Sequence, residues 1–315
     1  MKADANLRRG FWLALVGVLI FSITLPVTRL AVGTPEDPQL PGLFVALARA
    51  VVAATLSALY LLIVRAPWPR PEQWRALIII SLGVVLGFPV CTSIALQQVE
   101  AVHASAILGV LPLATAAMAA LLHRQRPSPG FWLCAVLGSA LVVVYAYLRS
   151  PPGQLGLQAA DLLLLMAVLS ASMGYIWGAR LSGHMPPEQV ICWALVVALP
   201  LTLPGSWLTL PAHPVRPGAW IGLVYLAVFS MWVGFFFWYR GLALGGTVRV
   251  SQVQLLQPFF SMFFAVMLVD ERLDGLTLGF AAAVLVTIAL GRKMSVSAPA
   301  PEVPRPEPVQ PSLKK

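Results

Sequence analysis

The side chains of this 315-residue chain that could do chemistry are few: 21 Lys and Arg, 12 Asp and Glu, four His and three Cys. Cys91, Cys134 and Cys192 lie far apart in apolar runs, with neither metal-ligand spacing nor a disulfide framework, so they read as buried, inert thiols. His103, His123, His184 and His213 fall at the ends of apolar runs or between them. No carboxylate dyad, zinc-ligand cluster or Ser-His-Asp arrangement can be assembled, which disfavours intramembrane hydrolysis and acyl transfer. No G-x-x-x-x-G-K-[ST] run offers a phosphate-binding loop. Neither a metal nor a cofactor is expected.

What polarity there is sits inside apolar runs. Arg49 is well within one, about eight residues from its start and roughly 12 Å deep at 1.5 Å per residue. Two roles fit it: a counter-ion for a solute carboxylate, or an arginine that snorkels or holds carbonyls of a neighbouring helix. Ser251, Gln254 and Gln257 recur at intervals of three and share one helix face. Pro258 follows at once, and its missing N–H frees the carbonyl of Gln254. That face either lines a cavity or joins helices by hydrogen bonds. Pro112 likewise frees the carbonyl of Leu108, with Ser105 a turn earlier on much the same face. Tyr175 and Trp177, and Ser22, Thr24, Pro26 and Thr28, supply further walls. Phe235 to Tyr239 form an aromatic run that reads as an interfacial belt.

The elements that must position these residues follow from composition. The chain is 59% hydrophobic and only 10% charged, against about 45–50% and about 25% in soluble domains. A soluble core cannot absorb that excess, so a soluble enzyme, a disordered chain and a nucleic-acid binder are excluded. Scanning for runs of about 20 apolar residues gives ten spans: Phe11–Val32, Pro41–Val64, Trp74–Gln97, Val102–Leu122, Phe131–Leu148, Gln158–Leu181, Pro187–Leu208, Ala219–Arg240, Thr247–Val269 and Leu276–Leu290. Residues 1–10 precede them. Residues 294–315 carry six prolines in a polar stretch and are expected to be disordered. Lys2, Arg8 and Arg9 before the first run imitate a signal peptide, but that run is long enough to span, which argues against cleavage.

Charge sets the orientation. With the N-terminus inside, 15 Lys and Arg fall on the cytoplasmic side and three (Arg149, Arg216, Arg272) outside. The positive-inside rule then puts both termini in the cytoplasm, and the net charge of +9 reads as a topology signal.

Sliding the chain by 146 residues lays Leu96–Arg126 on Leu242–Arg272. Ser105 falls on Ser251, Pro112 on Pro258 and His103 on Arg249. Thr28-Arg29-Leu30 and Ala179-Arg180-Leu181 end the first and sixth spans alike. The expected organisation is thus all-α: residues 11–148 and 158–293 as two five-helix repeats joined by a linker over 149–157. Five crossings per unit force the second to enter with inverted topology, a device of secondary transporters.

These features bring a resemblance. Pro258, Asp270-Glu271-Arg272-Leu273 and Gly279, with Pro112, Gly138 and the stretch Ala46–Arg49 with Ala53, are similar to the motifs of the EamA-type families of the drug/metabolite transporter superfamily. The resemblance covers Phe11 to Lys293. The chain departs from it at Gln125, where Glu is usual, and at Phe21-Ser22, where Trp-Gly is. It implies a five-plus-five helix fold and export of amino acids or other metabolites, driven in some members by protons. No carboxylate at a span centre here offers a proton carrier.

The reading is an inner-membrane secondary transporter that exports amino acids or related small amphipathic metabolites by alternating access. Thr28, Arg49, Ser105, Pro112, Tyr175, Trp177, Ser251, Gln254, Gln257 and Pro258 are its candidate cavity lining. Its partners are a small solute and the bilayer, with no nucleic acid; monomer and homodimer both remain open. The alternative is an integral-membrane enzyme acting on lipid-linked substrates, for which Glu100 and His103 are the nearest titratable pair. A membrane partner that senses or assembles is a third reading.

Overall fold

The computed structural model describes residues 2–122, 126–148, 158–245, 251–293 and 296–297. The linker expected over 149–157, Arg249 and nearly all of the expected tail lie outside them.

The described residues form ten helical runs: α1 (residues 2–32, interrupted at Ile23), α2 (Gly42–Ile63), α3 (Pro71–Ala95), α4 (residues 101–122, with a turn at Gly109 and Val110), α5 (Pro129–Leu148), α6 (Ala159–Leu181), α7 (Pro187–Leu208), α8 (residues 217–245), α9 (residues 251–269) and α10 (Gly275–Lys293). Seven of them, α1 to α4 and α6 to α8, are long and apolar enough to cross a bilayer. In α5, α9 and α10 the apolar stretch is shorter among the described residues. The connections are short, as a polar loop between apolar rods must be. Two-residue strands, Arg126–Pro127 and Val296–Ser297, pair antiparallel.

Large apolar side chains such as Leu208 (83% exposed) and Ile221 (70%) face outward, where hydrocarbon rather than water is the natural solvent. The interior is built by close approach of small residues. A methyl added at Gly83 would lie 2.5 Å from the carbonyl oxygen of Ser170, so α3 and α6 meet backbone to backbone. Gly241 meets Gly10 and Ala14 of α1 in the same way. Small residues at crossings are what lets membrane helices associate without a hydrophobic drive.

Contacts run chiefly between the two halves. α1 packs on α8, α3 on α6, α2 on α7, α5 on α10 and α4 on α9. Two buried clusters result, one around Leu40, Leu96 and Ile107 and one around Leu77, Ile191 and Trp238. Tyr175 touches both.

The helices are irregular at matched levels. Pro112 has no N–H, and α4 breaks just before it at Gly109 and Val110. Pro258 marks the change in α9 from a 3₁₀ turn (Ser251–Leu256) to α-helix (Gln257–Val269). The third helix of each half contains a π-helical stretch, Ser81–Gly87 in α3 and Leu226–Val233 in α8. There Phe88 and Gly234 donate to carbonyls five residues back, Gly83 and Phe229. Gly87 and Val233 are 146 residues apart, the offset of the sequence repeat.

Candidate functional site

The breaks converge on one cavity between the two buried clusters. The break in α1 supplies Phe21, Thr24 and Leu25, and α2 supplies Arg49. The π stretches supply Val84 and Ser230, with Phe88 and Phe235 just beyond them. Ser105, Leu108, Leu111 and Pro112 come from the two arms of α4, and Ala171 and Tyr175 from α6. Gln254, Gln257, Pro258 and Ser261 come from α9.

Of the candidate lining residues, Arg49, Ser105, Pro112, Tyr175, Gln254, Gln257 and Pro258 are brought together here. Gln254 comes from the 3₁₀ turn, and Gln257 opens the α-helix that follows it. Ser251 starts that turn. Two residues fall elsewhere. Thr28 is fully buried and bonds back to the carbonyl of Thr24 at 2.7 Å; a hydroxyl inside an apolar helix satisfies itself on its own backbone. Trp177 makes cation–π contacts with the guanidinium groups of Arg75 (5.7 Å) and Arg180 (5.4 Å) toward the end of α6. Sequence reasoning missed Ser230 and Ser261 as lining residues. Ser230 meets Thr24 hydroxyl to hydroxyl at 2.8 Å. A serine inside an apolar run was the available signal.

The cavity is unbalanced electrostatically. Arg49 is 3% exposed, and its Nε and Nη1 have no hydrogen-bond partner. No Asp or Glu stands among the described lining residues. Gln254 Nε2, Gln257 Oε1 and Ser261 Oγ are also buried without partners. Each such group costs about 1–3 kcal/mol until something bonds it. The wall therefore holds one guanidinium, unmet amide and hydroxyl groups, and an apolar side formed by Leu25, Val84, Leu108, Leu111 and Ala171. That set suits a solute with one anionic group and an apolar body.

At one end the cavity meets an aromatic cluster. Phe21 packs on Phe235 with centroids 5.0 Å apart, and Tyr175 lies 6.4 Å from Trp238. Phe235, Trp238 and Tyr239 are 6%, 2% and 1% exposed. The expected interfacial belt is corrected: this face of the run is interior, because α8 turns it toward α1.

The other end is polar. Arg29 donates to the carbonyls of Gly33 (3.1 Å) and Leu96 (2.6 Å). Arg216 pairs with Asp37. These residues, with Glu100, Glu271 and Arg272, surround a charged basin. Glu271 accepts from the N–H groups of Ala101 (2.8 Å) and Val102 (2.7 Å) and so caps α4. Burial lifts its carboxyl above the ordinary glutamate range, against the pull of those two bonds. His103 Nε2 sits 2.7 Å from Asp161 Oδ1, joining α4 to α6. The Glu100–His103 pair on which an enzyme reading would rest is thus replaced by His103–Asp161. Among the described residues no group of three His, Cys, Asp or Glu could hold a metal.

Comparison with known proteins places this geometry. The model of the EamA-like transporter family matches twice, over residues 8–147 and 158–291. A curated relative, the "Uncharacterized transporter YdeK" of Bacillus subtilis (strain 168), is 41% identical over 286 residues, 89% of this chain and 96% of its own. A solved crystal structure shares the fold with a TM-score of 0.60 at 19% identity, over 91% of this chain and 96% of that one. An all-helical, membrane-spanning body matched almost end to end by that family model belongs to the EamA-like transporter family of the drug/metabolite transporter superfamily, and it is a membrane transporter.

Proposed function

We propose that the chain exports amino acids or related small amphipathic metabolites across the inner membrane by alternating access, with both termini cytoplasmic. The two halves act as inverted five-helix repeats that rock about the central cavity, and Pro112 and Pro258 mark the flexing helices. Matched π stretches, matched proline breaks and packing between halves support that arrangement. The observation that carries the reading is the unpaired Arg49 guanidinium in a cavity otherwise lined by amide, hydroxyl and apolar groups. A carboxylate would dock on Arg49 and the Gln254 amide, and an apolar side chain on Leu25, Leu108 and Leu111. Alternating access requires the halves to part first on one side of that site and then on the other.

The test is counterflow in liposomes with the purified full chain and a panel of labelled amino acids and small aromatic metabolites. Saturable exchange is expected. Gln254→Leu should cut it about tenfold or more, the weight of one buried hydrogen bond to a charged group, with protein still present in the membrane. Normal exchange in that variant would place Gln254 in helix packing.

A further inference from the structure

The charge of the central cavity bears on what drives transport, given the proposed transport cycle. Arg49 stands about a third of the way along α2, as the eighth of its 22 residues. Its guanidinium is always charged. It is the one charged side chain among the described lining residues of the cavity. Arg29, Arg75 and Arg180 are held elsewhere, on carbonyls or on Trp177. The empty site therefore carries one uncompensated positive charge in a low-dielectric surround.

We propose that the cargo is carried as a net monoanion and that the membrane potential drives its export by acting on the empty carrier. A carboxylate on Arg49 makes the loaded site neutral, so the loaded step crosses the membrane without moving charge. A zwitterion would leave the site at +1, and among the described lining residues its ammonium group would find Gln257 Oε1, hydroxyls and backbone carbonyls but no carboxylate. An amine without a carboxylate would be repelled outright. Once the anion has left on the outside, the empty site must return as a cation. An interior-negative potential pulls it inward. A full charge across 100 mV biases the two orientations roughly fifty-fold. Summed over one cycle, one negative charge leaves the cell and Arg49 returns to where it began. No proton carrier is required.

Three probes with one apolar body separate the cases: labelled 3-phenylpropionate (anion), phenylalanine (zwitterion) and phenethylamine (cation). Each is measured with the purified full chain in liposomes, corrected against protein-free vesicles. Exchange and net flux are each measured with and without a valinomycin-set potassium diffusion potential. We expect saturable exchange of 3-phenylpropionate that ignores the potential, and net flux of the same probe that rises at least several-fold when the potential favours empty-site return. Phenethylamine should not exchange. Arg49→Lys should keep the potential dependence, and Arg49→Gln, checked for monodispersity, should lose it together with the preference for the anion. Exchange of the anion with net flux insensitive to potential would overturn the proposal and leave transport standing. Phenethylamine or phenylalanine exchanging as fast as 3-phenylpropionate would overturn it as well. No exchange of any probe or amino acid by folded protein would overturn the transport cycle on which the proposal rests.

Discussion

Glu271 offers a quantitative test of how the loop between α9 and α10 holds the molecule together. Its two carboxylate oxygens accept from Ala101 and Val102 at 2.8 and 2.7 Å, at 9% exposure. The N-terminus of α4 has no other side-chain cap. Hydrogen bonds to a charged group contribute about 1.5–3 kcal/mol each. The cost of keeping the carboxyl out of water opposes them. Glu271→Ala should therefore lose about 2–4 kcal/mol net, which for a chain of this size lowers the melting temperature by about 4–10 °C. Glu271→Gln keeps one oxygen acceptor and should lose about half as much. The assay is thermal unfolding of the purified protein in one detergent, followed by tryptophan fluorescence. An alanine variant that melts within about 1 °C of the parent would show that this contact does not hold α4, and the reasoning would fail.

Other expectations follow from the same geometry. The raised Glu271 carboxyl means the folded chain holds that proton more tightly than the unfolded chain. Its titration therefore adds stability that is present at low pH and lost as pH rises through the raised value. Melting curves of parent against Glu271→Gln should show the parent gaining as pH falls; a gain on raising the pH would contradict the sign. Removing either member of the His103–Asp161 pair should cost about 2–4 kcal/mol, and the double substitution less than the sum by about 1–3 kcal/mol; strict additivity in unfolding would deny the coupling. Gly83→Ala drives a methyl to 2.5 Å from the Ser170 carbonyl oxygen and should cost over 2 kcal/mol. Gly279→Ala meets nothing within 4 Å and should gain up to about 1 kcal/mol. Equal melting temperatures for those two variants would refute the close approach of α3 and α6.

Much of this was readable from residues alone, for physical reasons. Apolar runs long enough to span, and prolines within them, announce helices and their breaks, because hydrocarbon and a missing N–H each leave one outcome. Arg49 and the Gln254–Gln257 pair were legible as site candidates because buried polarity in such a chain is conspicuous. What stayed hidden depends on how helices meet. His103 and Asp161 are 58 residues apart, and nothing local couples them. The aromatic run in α8 has the composition of a belt, and only its packing on α1 makes it interior. Thr28 looked like Thr24, yet one faces the cavity and the other its own backbone. The π stretch in α3 precedes Pro89, which cannot donate to the carbonyl of Val85. The one in α8 has no such residue.

Those two stretches carry a mechanical consequence. A π turn holds one residue more than the α turn it replaces, so α3 and α8 each store a spare residue at the same level of the fold. Were that spare residue to migrate by one turn, every side chain it passed would rotate about 100° around the helix axis. The ladder of backbone bonds would stay whole. In α8 the rotation would carry Ser230 off Thr24, and in α3 it would carry Val84 out of the notch at Gly174. The width of the passage is then governed by counting rather than bending. The third helix of each half would then act as a ratchet with discrete positions, and the path would open in steps rather than by continuous bending.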